Sequence, residues 1–305
     1  MDVYLPIAEM SINALALLAL GGGVGLMSGL FGVGGGFLMT PLLIFLGVAP
    51  AVAVGTGTNL VIASSVSGMM AHWRRGNVDF KMALLILVGG SAGAVLGIWL
   101  FGLLRGVGQL DEVIAVLYIV FLGSIGVLMA IEATAKMLRR RERGRPRRAH
   151  THNWVHGLPF KLRFRRSKLY VSAIPPVAVG FFTGILATVM GVGGGFFMVP
   201  ALIYVVGMPA SAVVGTSLLG ILGVSIASCF AHAIASQTID IILMLLLAVG
   251  AVIGAQYGTK VGVRLRAEQL RVLLALMVLT VCGRLLFGLV TPPDDPFSIE
   301  VLLRS

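Results

Sequence analysis

Charge is scarce in this chain. Of its 305 residues, 11% are Asp, Glu, Lys or Arg and 58% are hydrophobic, whereas a soluble domain carries about a quarter charged residues. Too little polar surface is left to clothe a water-soluble globule. Acid is scarcer still, 12 Asp and Glu against 23 Lys and Arg. None of the acids lies deep within an apolar run; Asp79, Glu132 and Asp240 all sit near segment ends. That argues against a carboxylate proton relay and against a carboxylate-bound sodium site. Cysteine is reduced to Cys229 and Cys282, both inside apolar runs, where the thiol behaves as a small hydrophobe, so no disulfide is expected. The first apolar stretch lacks a basic segment ahead of it, having Asp2 and Glu9 instead, and no convincing cleavage site follows. An uncleaved first helix is expected rather than a signal peptide.

What the chain has in abundance is apolar runs near the length that spans a bilayer, about 20 residues for a hydrocarbon core of roughly 30 Å. Its net charge of +11 is not spread evenly, because 13 of the 23 basic residues fall between Lys136 and Lys168 with one acid, Glu142, among them. A basic block in a loop between apolar segments marks a cytoplasmic loop that lies beside anionic lipid headgroups. No folded module surrounds the block, so a nucleic-acid partner is not expected.

The chain also repeats itself. Gly32-Val33-Gly34-Gly35-Gly36-Phe37 recurs as Gly191-Val192-Gly193-Gly194-Gly195-Phe196. In each half there follow a proline (Pro41, Pro200), a second proline (Pro50, Pro209), a Gly-Thr pair (Gly55-Thr56, Gly215-Thr216) and an Ala-His pair (Ala71-His72, Ala231-His232). A ladder of glycines closes each series: Gly89, Gly93 and Gly97 against Gly250, Gly254 and Gly258. The order is kept throughout and the offset between halves drifts only from 159 to 161, as in a duplicated module.

The expected fold is an all-α polytopic membrane protein of two repeats, each with about five segments, one of them short and placed after the glycine break. The first repeat covers residues 1–138, with helices near 10–31, 51–73, 80–104 and 111–138 and a short piece near 37–47. A basic cytoplasmic linker covers 139–169. The second repeat, 170–292, has counterparts near 170–190, 196–206, 210–235, 240–262 and 268–290, and an acidic tail covers 293–305. The short pieces are too brief for a full span at 1.5 Å per residue. Either they cross as short or tilted segments, giving five crossings per half and inverted repeats, or they are re-entrant, giving four per half and parallel repeats. Five crossings place the loops with Arg74, Arg75 and Lys81, and with Lys260, Arg264, Arg266 and Arg271, on the side of the central basic linker. Both acidic termini then lie outside. The positive-inside rule therefore favours the inverted arrangement.

The glycine breaks are the leading site candidates. Non-helical backbone survives in hydrocarbon only when buried in protein or lining a wet cavity, and a broken helix end offers free N–H groups at its positive pole. Paired broken helices point to a transporter site. The competing reading is close helix packing by small residues, which also accounts for the glycine ladders; two matched breaks favour a site. The candidate substrate contacts are Gly34, Gly35, Gly36, Thr56 and Asn59 in the first half and Gly193, Gly194, Gly195, Thr216 and Ser217 in the second. Hydroxyls in such helices often bond back to their own backbone, but Thr56 and Thr216 recur at matched positions, and the Asn59 amide needs partners. His72 and His232 are candidates for a proton role, and Arg284 either attracts the anion or snorkels to the interface. His150, His152 and His156, in a flexible basic loop, make a weak metal cluster; neither metal nor cofactor is expected.

At these residues the sequence resembles the TauE/SafE sulfite exporter family: paired Gly-Val-Gly-Gly-Gly-Phe segments, each followed by proline and then Gly-Thr, over roughly residues 10–290. The resemblance implies a bacterial inner-membrane permease for sulfite, sulfoacetate or a related sulfur oxyanion or organosulfonate, where the residues alone imply a small anion. One departure stands out: the second half reads Gly215-Thr216-Ser217-Leu218, the usual family form, and the first reads Gly55-Thr56-Gly57-Thr58-Asn59. A secondary transporter working by alternating access is expected, with a passive anion channel as the alternative. An intramembrane serine protease is disfavoured, because no Ser-His arrangement stands out. Expected partners are the anion, the bilayer and a second copy of the chain.

Overall fold

The two glycine breaks are where the chain turns back on itself. In the computed structural model, which describes residues 2–31, 35–74, 76–139, 159–164, 166–167, 169–236, 238–262, 276 and 278–287, the first repeat opens with a hairpin of β1 (Asp2–Leu5) and β2 (Met10–Asn13). Helices α1 (Ala14–Phe31), α2 (Gly36–Phe45), α3 (Pro50–Arg74), α4 (Phe80–Val107) and α5 (Leu110–Arg139) follow. The second repeat has the same plan: a hairpin of β3 (Lys161–Phe164) and β4 (Leu169–Ser172), then α6 (Ile174–Met190), α7 (Gly195–Tyr204), α8 (Ala210–Ala235) and α9 (Ile241–Gly262). A tenth helix, α10 (Val278–Phe287), corresponds to α5.

Both hairpins depart from the sequence expectation. The first helix begins at Ala14, because residues 2–13 pair as strands, and the second hairpin lies within the stretch read as linker and at the start of the second repeat. Of that linker, residues 140–158 lie outside the described residues, with the cluster His150, His152 and His156, and so does the acidic tail.

Helix ends follow from local chemistry. Asp79 starts α4 by accepting the Met82 N–H, and Gly108 stops it in the left-handed conformation, which glycine adopts without a Cβ penalty. Pro175 and Pro176 sit in the first turn of α6, where a missing N–H costs nothing. Helices α2 and α7 both begin after a left-handed glycine, Gly35 (φ 71°) and Gly194 (φ 68°), with no side-chain cap.

The ten residues of α2 rise about 15 Å, half a bilayer, and the chain uses them to come back. A Cβ on Gly35 would lie 2.9 Å from the Ser28 Cβ, so the break folds α2 against α1. Gly36 faces Val61 and Gly57 faces Thr40, so α2 runs antiparallel to α3. Gly47, past the end of α2, lies by Met10, just before α1 begins. The short segment therefore doubles back towards the start of α1, alongside α3. The same bend occurs in the second repeat, where a Cβ on Gly194 would meet Thr183 of α6.

The remaining packing interlocks the repeats. α1 packs on α9 and α4 on α6 more extensively than any other pairs, and both are parallel: Gly21 faces Leu247 and Gly25 faces Ala251, while Gly89 faces Val177 and Gly93 faces Phe181. α3 and α8 instead run antiparallel, with Asn59 against Cys229 and Gly68 against Leu218. The glycine ladders supply these crossings, since a Cβ at Gly93 or Gly254 would strike the facing backbone, the close approach that small residues permit between membrane helices.

Four described helices are long and apolar enough to span a membrane: Pro50–Arg74, Phe80–Val107, Ala212–Ala235 and Ile241–Gly258. The outward face of α4 carries Leu84, Val88, Val95 and Trp99, all exposed, an apolar surface suited to lipid rather than water.

Candidate functional site

The glycine tips meet inside the bundle. Gly36 lies against Val192 and Val61, Gly193 lies against Val61 and Ser225, and Gly191 lies against Val54. Every residue from Gly35 to Pro41 and from Gly191 to Phe196 is buried. The positive ends of α2 and α7 thus point into protein without a side-chain cap, and the first N–H groups of a helix have no partner within it. Tyr118 of α5 packs beside them, donating its hydroxyl to the Met190 carbonyl at 2.6 Å.

Gly35, Gly36, Gly193, Gly194 and Gly195 are therefore brought together, while Gly34 lies outside the described residues. The hydroxyl candidates have other partners. Thr216 accepts the backbone N–H of Asp79 at 2.9 Å, and Thr56 accepts that of Asp240 at 3.3 Å. Ser217 bonds back to the Val214 carbonyl at 3.0 Å. Asn59 donates to the Gly55 carbonyl and accepts from the Cys229 thiol at 2.9 Å. His232 is fully buried, with Nε2 2.8 Å from the Thr188 carbonyl and its ring edge-on to Phe101. His72 is half-buried against Gly215, and Arg284 is exposed on α10. Sequence reasoning passed over Asp79 and Asp240, both buried; their matched places one residue before α4 and α9 were the available signal.

What replaces the threonines is a set of serines. Ser65, Ser225 and Ser228 are buried, and their oxygens have no hydrogen-bond partner. Ser65 and Ser225 occupy matched positions, 160 residues apart, on the crossing helices α3 and α8. Buried Lys, Arg and Glu are absent among the described residues, and no three His, Cys, Asp or Glu among them are grouped to hold a metal. Polarity at the tips comes from backbone N–H groups and hydroxyls, which hold an anion without a counter-charge.

The sulfite exporter TauE/SafE family model matches residues 17–285. The chain belongs to this family. It is 24% identical over 284 residues to the probable membrane transporter protein YunE of Bacillus subtilis, covering 90% of this chain and 98% of that protein. It is 28% identical over 269 residues to YjnA of the same organism, another probable membrane transporter protein, covering 87% and 97%. A probable membrane transporter protein of Xylella fastidiosa is 30% identical over 263 residues, covering 85% and 89%. No solved structure gives a significant match. With its long apolar helices, this member of a membrane transporter family is a multi-pass membrane protein.

Proposed function

We propose that this TauE/SafE member is a secondary transporter that exports a small anion, sulfite or a related sulfur oxyanion or organosulfonate, across the bacterial inner membrane. One observation carries the reading: two uncapped helix N-termini, from matched re-entrant hairpins, converge on a buried region, and no Lys or Arg is buried among the described residues. A fixed Lys or Arg would bind an anion tightly and release it slowly; N–H dipoles attract it more gently.

The antiparallel crossing of α3 and α8 supports inverted repeats. Taking the whole α1–α2 hairpin as re-entrant, rather than α2 alone, replaces the five crossings favoured by the charge pattern. The hairpin adds no net crossing, each half keeps three spanning helices, an odd number, and the halves still face opposite ways. The basic linker then lies in the cytoplasm, beside anionic lipid, and both termini lie outside. Alternating access follows if each glycine tip is exposed in turn as one repeat rocks against the other. Each chain contains both tips, so one copy holds the whole site.

Proteoliposomes loaded in turn with sulfite, sulfate, thiosulfate and small sulfonates, with and without a proton gradient, test the proposal. Saturable flux that responds to countertransport is expected. Flux that rises linearly with the gradient marks a passive channel instead, and failure of every anion to move beside a working control removes the transport reading for these substrates.

A further inference from the structure

We infer that Ser225 and its counterpart Ser65 are hydroxyl ligands of the transported anion, and that they select it by its hydrogen-bond acceptors. The inference rests on the anion-transport reading above.

A hydroxyl inside a membrane helix ordinarily bonds to a carbonyl three or four residues back. Thr58, Ser64, Thr183, Thr188 and Ser217 all do so in this chain. Ser65 and Ser225 are fully buried and do not. A buried polar group without a partner is costly, so two of them at matched positions call for an occupant. Ser225 has a specific neighbourhood: a Cβ on Gly193 would lie 3.1 Å from its oxygen, which sets the hydroxyl against the tip that leads into the uncapped start of α7. Ser65 stands one helical turn beyond Val61, which packs against Gly36 and Gly193 of both tips, and residues four apart share a helix face.

A serine hydroxyl can donate one hydrogen bond to an anion oxygen, alongside the N–H groups of α7. Such a site rewards an oxyanion with several acceptor oxygens and gives a halide less. A site built from buried donors discriminates sharply when an analogue leaves them unpaired.

The test compares sulfite and chloride uptake by proteoliposomes of the wild type, Ser65→Ala, Ser225→Ala and Ser225→Thr. Each alanine variant is expected to raise the KM for sulfite about tenfold, the loss of one hydrogen bond to a charged group. Each should also narrow the preference for sulfite over chloride, with the melting temperature in detergent unchanged or raised. Ser225→Thr, which keeps the hydroxyl, should recover most of the affinity. Wild-type sulfite transport with an unaltered KM in both alanine variants overturns the inference and leaves the transport reading standing. A loss of transport that tracks a fall in melting temperature overturns it too, since the serines would then be structural. A wild type that moves no anion removes the transport reading and this inference with it.

Discussion

The backbone N–H of Asp79, in the first repeat, donates to the hydroxyl of Thr216, in the second, at 2.9 Å. The Asp79 carboxylate completes a clasp: Oδ1 caps α4 through Met82, and Oδ2 accepts from the N–H and hydroxyl of Ser167 in the β3–β4 turn, at 3.1 and 2.8 Å. Asp240 repeats the pattern in reverse. Its N–H meets Thr56, Oδ1 caps α9 through Ile242 and Leu243, and Oδ2 accepts from Ile7 and Ala8 in the β1–β2 turn. Each aspartate thus ties its own fourth helix to the hairpin of the other repeat.

Replacing either aspartate by alanine removes a helix cap and leaves hairpin N–H groups without their acceptor. Asp79→Ala and Asp240→Ala are each expected to cost about 2–3 kcal/mol, read as a lower melting temperature in detergent. Asparagine keeps one acceptor and should recover part of the loss. An unchanged melting temperature for both alanine variants would show that the clasps contribute nothing to stability.

The Gly-Thr pairs are explained by the same contacts. A Cβ on Gly55 would lie 2.7 Å from the Thr238 hydroxyl, and one on Gly215 would lie 2.6 Å from the Asn77 carbonyl; the glycine lets the loop of the other repeat approach and the threonine then bonds to it. Thr216→Val should destabilise by about 1–3 kcal/mol, because a buried N–H loses its acceptor, while Thr216→Ser should be near neutral. Transport by the folded fraction should keep its KM. A raised KM at unchanged stability would make Thr216 a substrate ligand instead.

Close helix crossing separates two classes of glycine. A Cβ at Gly93 would collide with the Phe181 carbonyl of α6, whereas nothing lies within 4 Å of one at Gly102, farther along the same helix. Gly93→Ala should force α4 from α6 and abolish a folded, monodisperse protein on size-exclusion chromatography. Gly102→Ala should be tolerated, or stabilise by up to about 1 kcal/mol through helix propensity. Equal behaviour of the two variants would contradict the packing register.

The duplication, the helices and the positions of the glycine breaks were legible because each leaves a pattern in one dimension: Gly191-Val192-Gly193 announces a break whatever lies around it. What Thr56, Thr216, Asp79 and Asp240 do was not legible, because their partners are 137 and 184 residues away in the other repeat. The short strands were hidden for another reason. Met10–Asn13 runs straight into the apolar helix at Ala14, so hydropathy alone extends the helix through it. Ser65 and Ser225 carried a faint signal, one shared offset of 160, but it is that offset together with the missing hydrogen-bond partner, seen only in the structure, that singles them out.

The direction of the repeats has its own test. Arg105, in the last turn of α4, donates at 3.2 Å to the carbonyl of Ser236, the C-cap residue of α8, so the ends of α4 and α8 share one face of the bundle. Asn77, between α3 and α4, lies at the other, beside Gly215 near the start of α8. Inverted repeats require Gln109 and Ala235 to be reached from one side of the membrane and Asn77 from the opposite side; parallel repeats would put Ala235 with Asn77. Single cysteines at these positions, in a background of Cys229→Ser and Cys282→Ser, can be labelled in intact cells with a membrane-impermeant maleimide. Gln109→Cys and Ala235→Cys are expected to label from outside, and Asn77→Cys only after the membrane is opened. Labelling of Ala235→Cys together with Asn77→Cys would set aside the inversion and, with it, the alternating exposure of two opposed glycine tips.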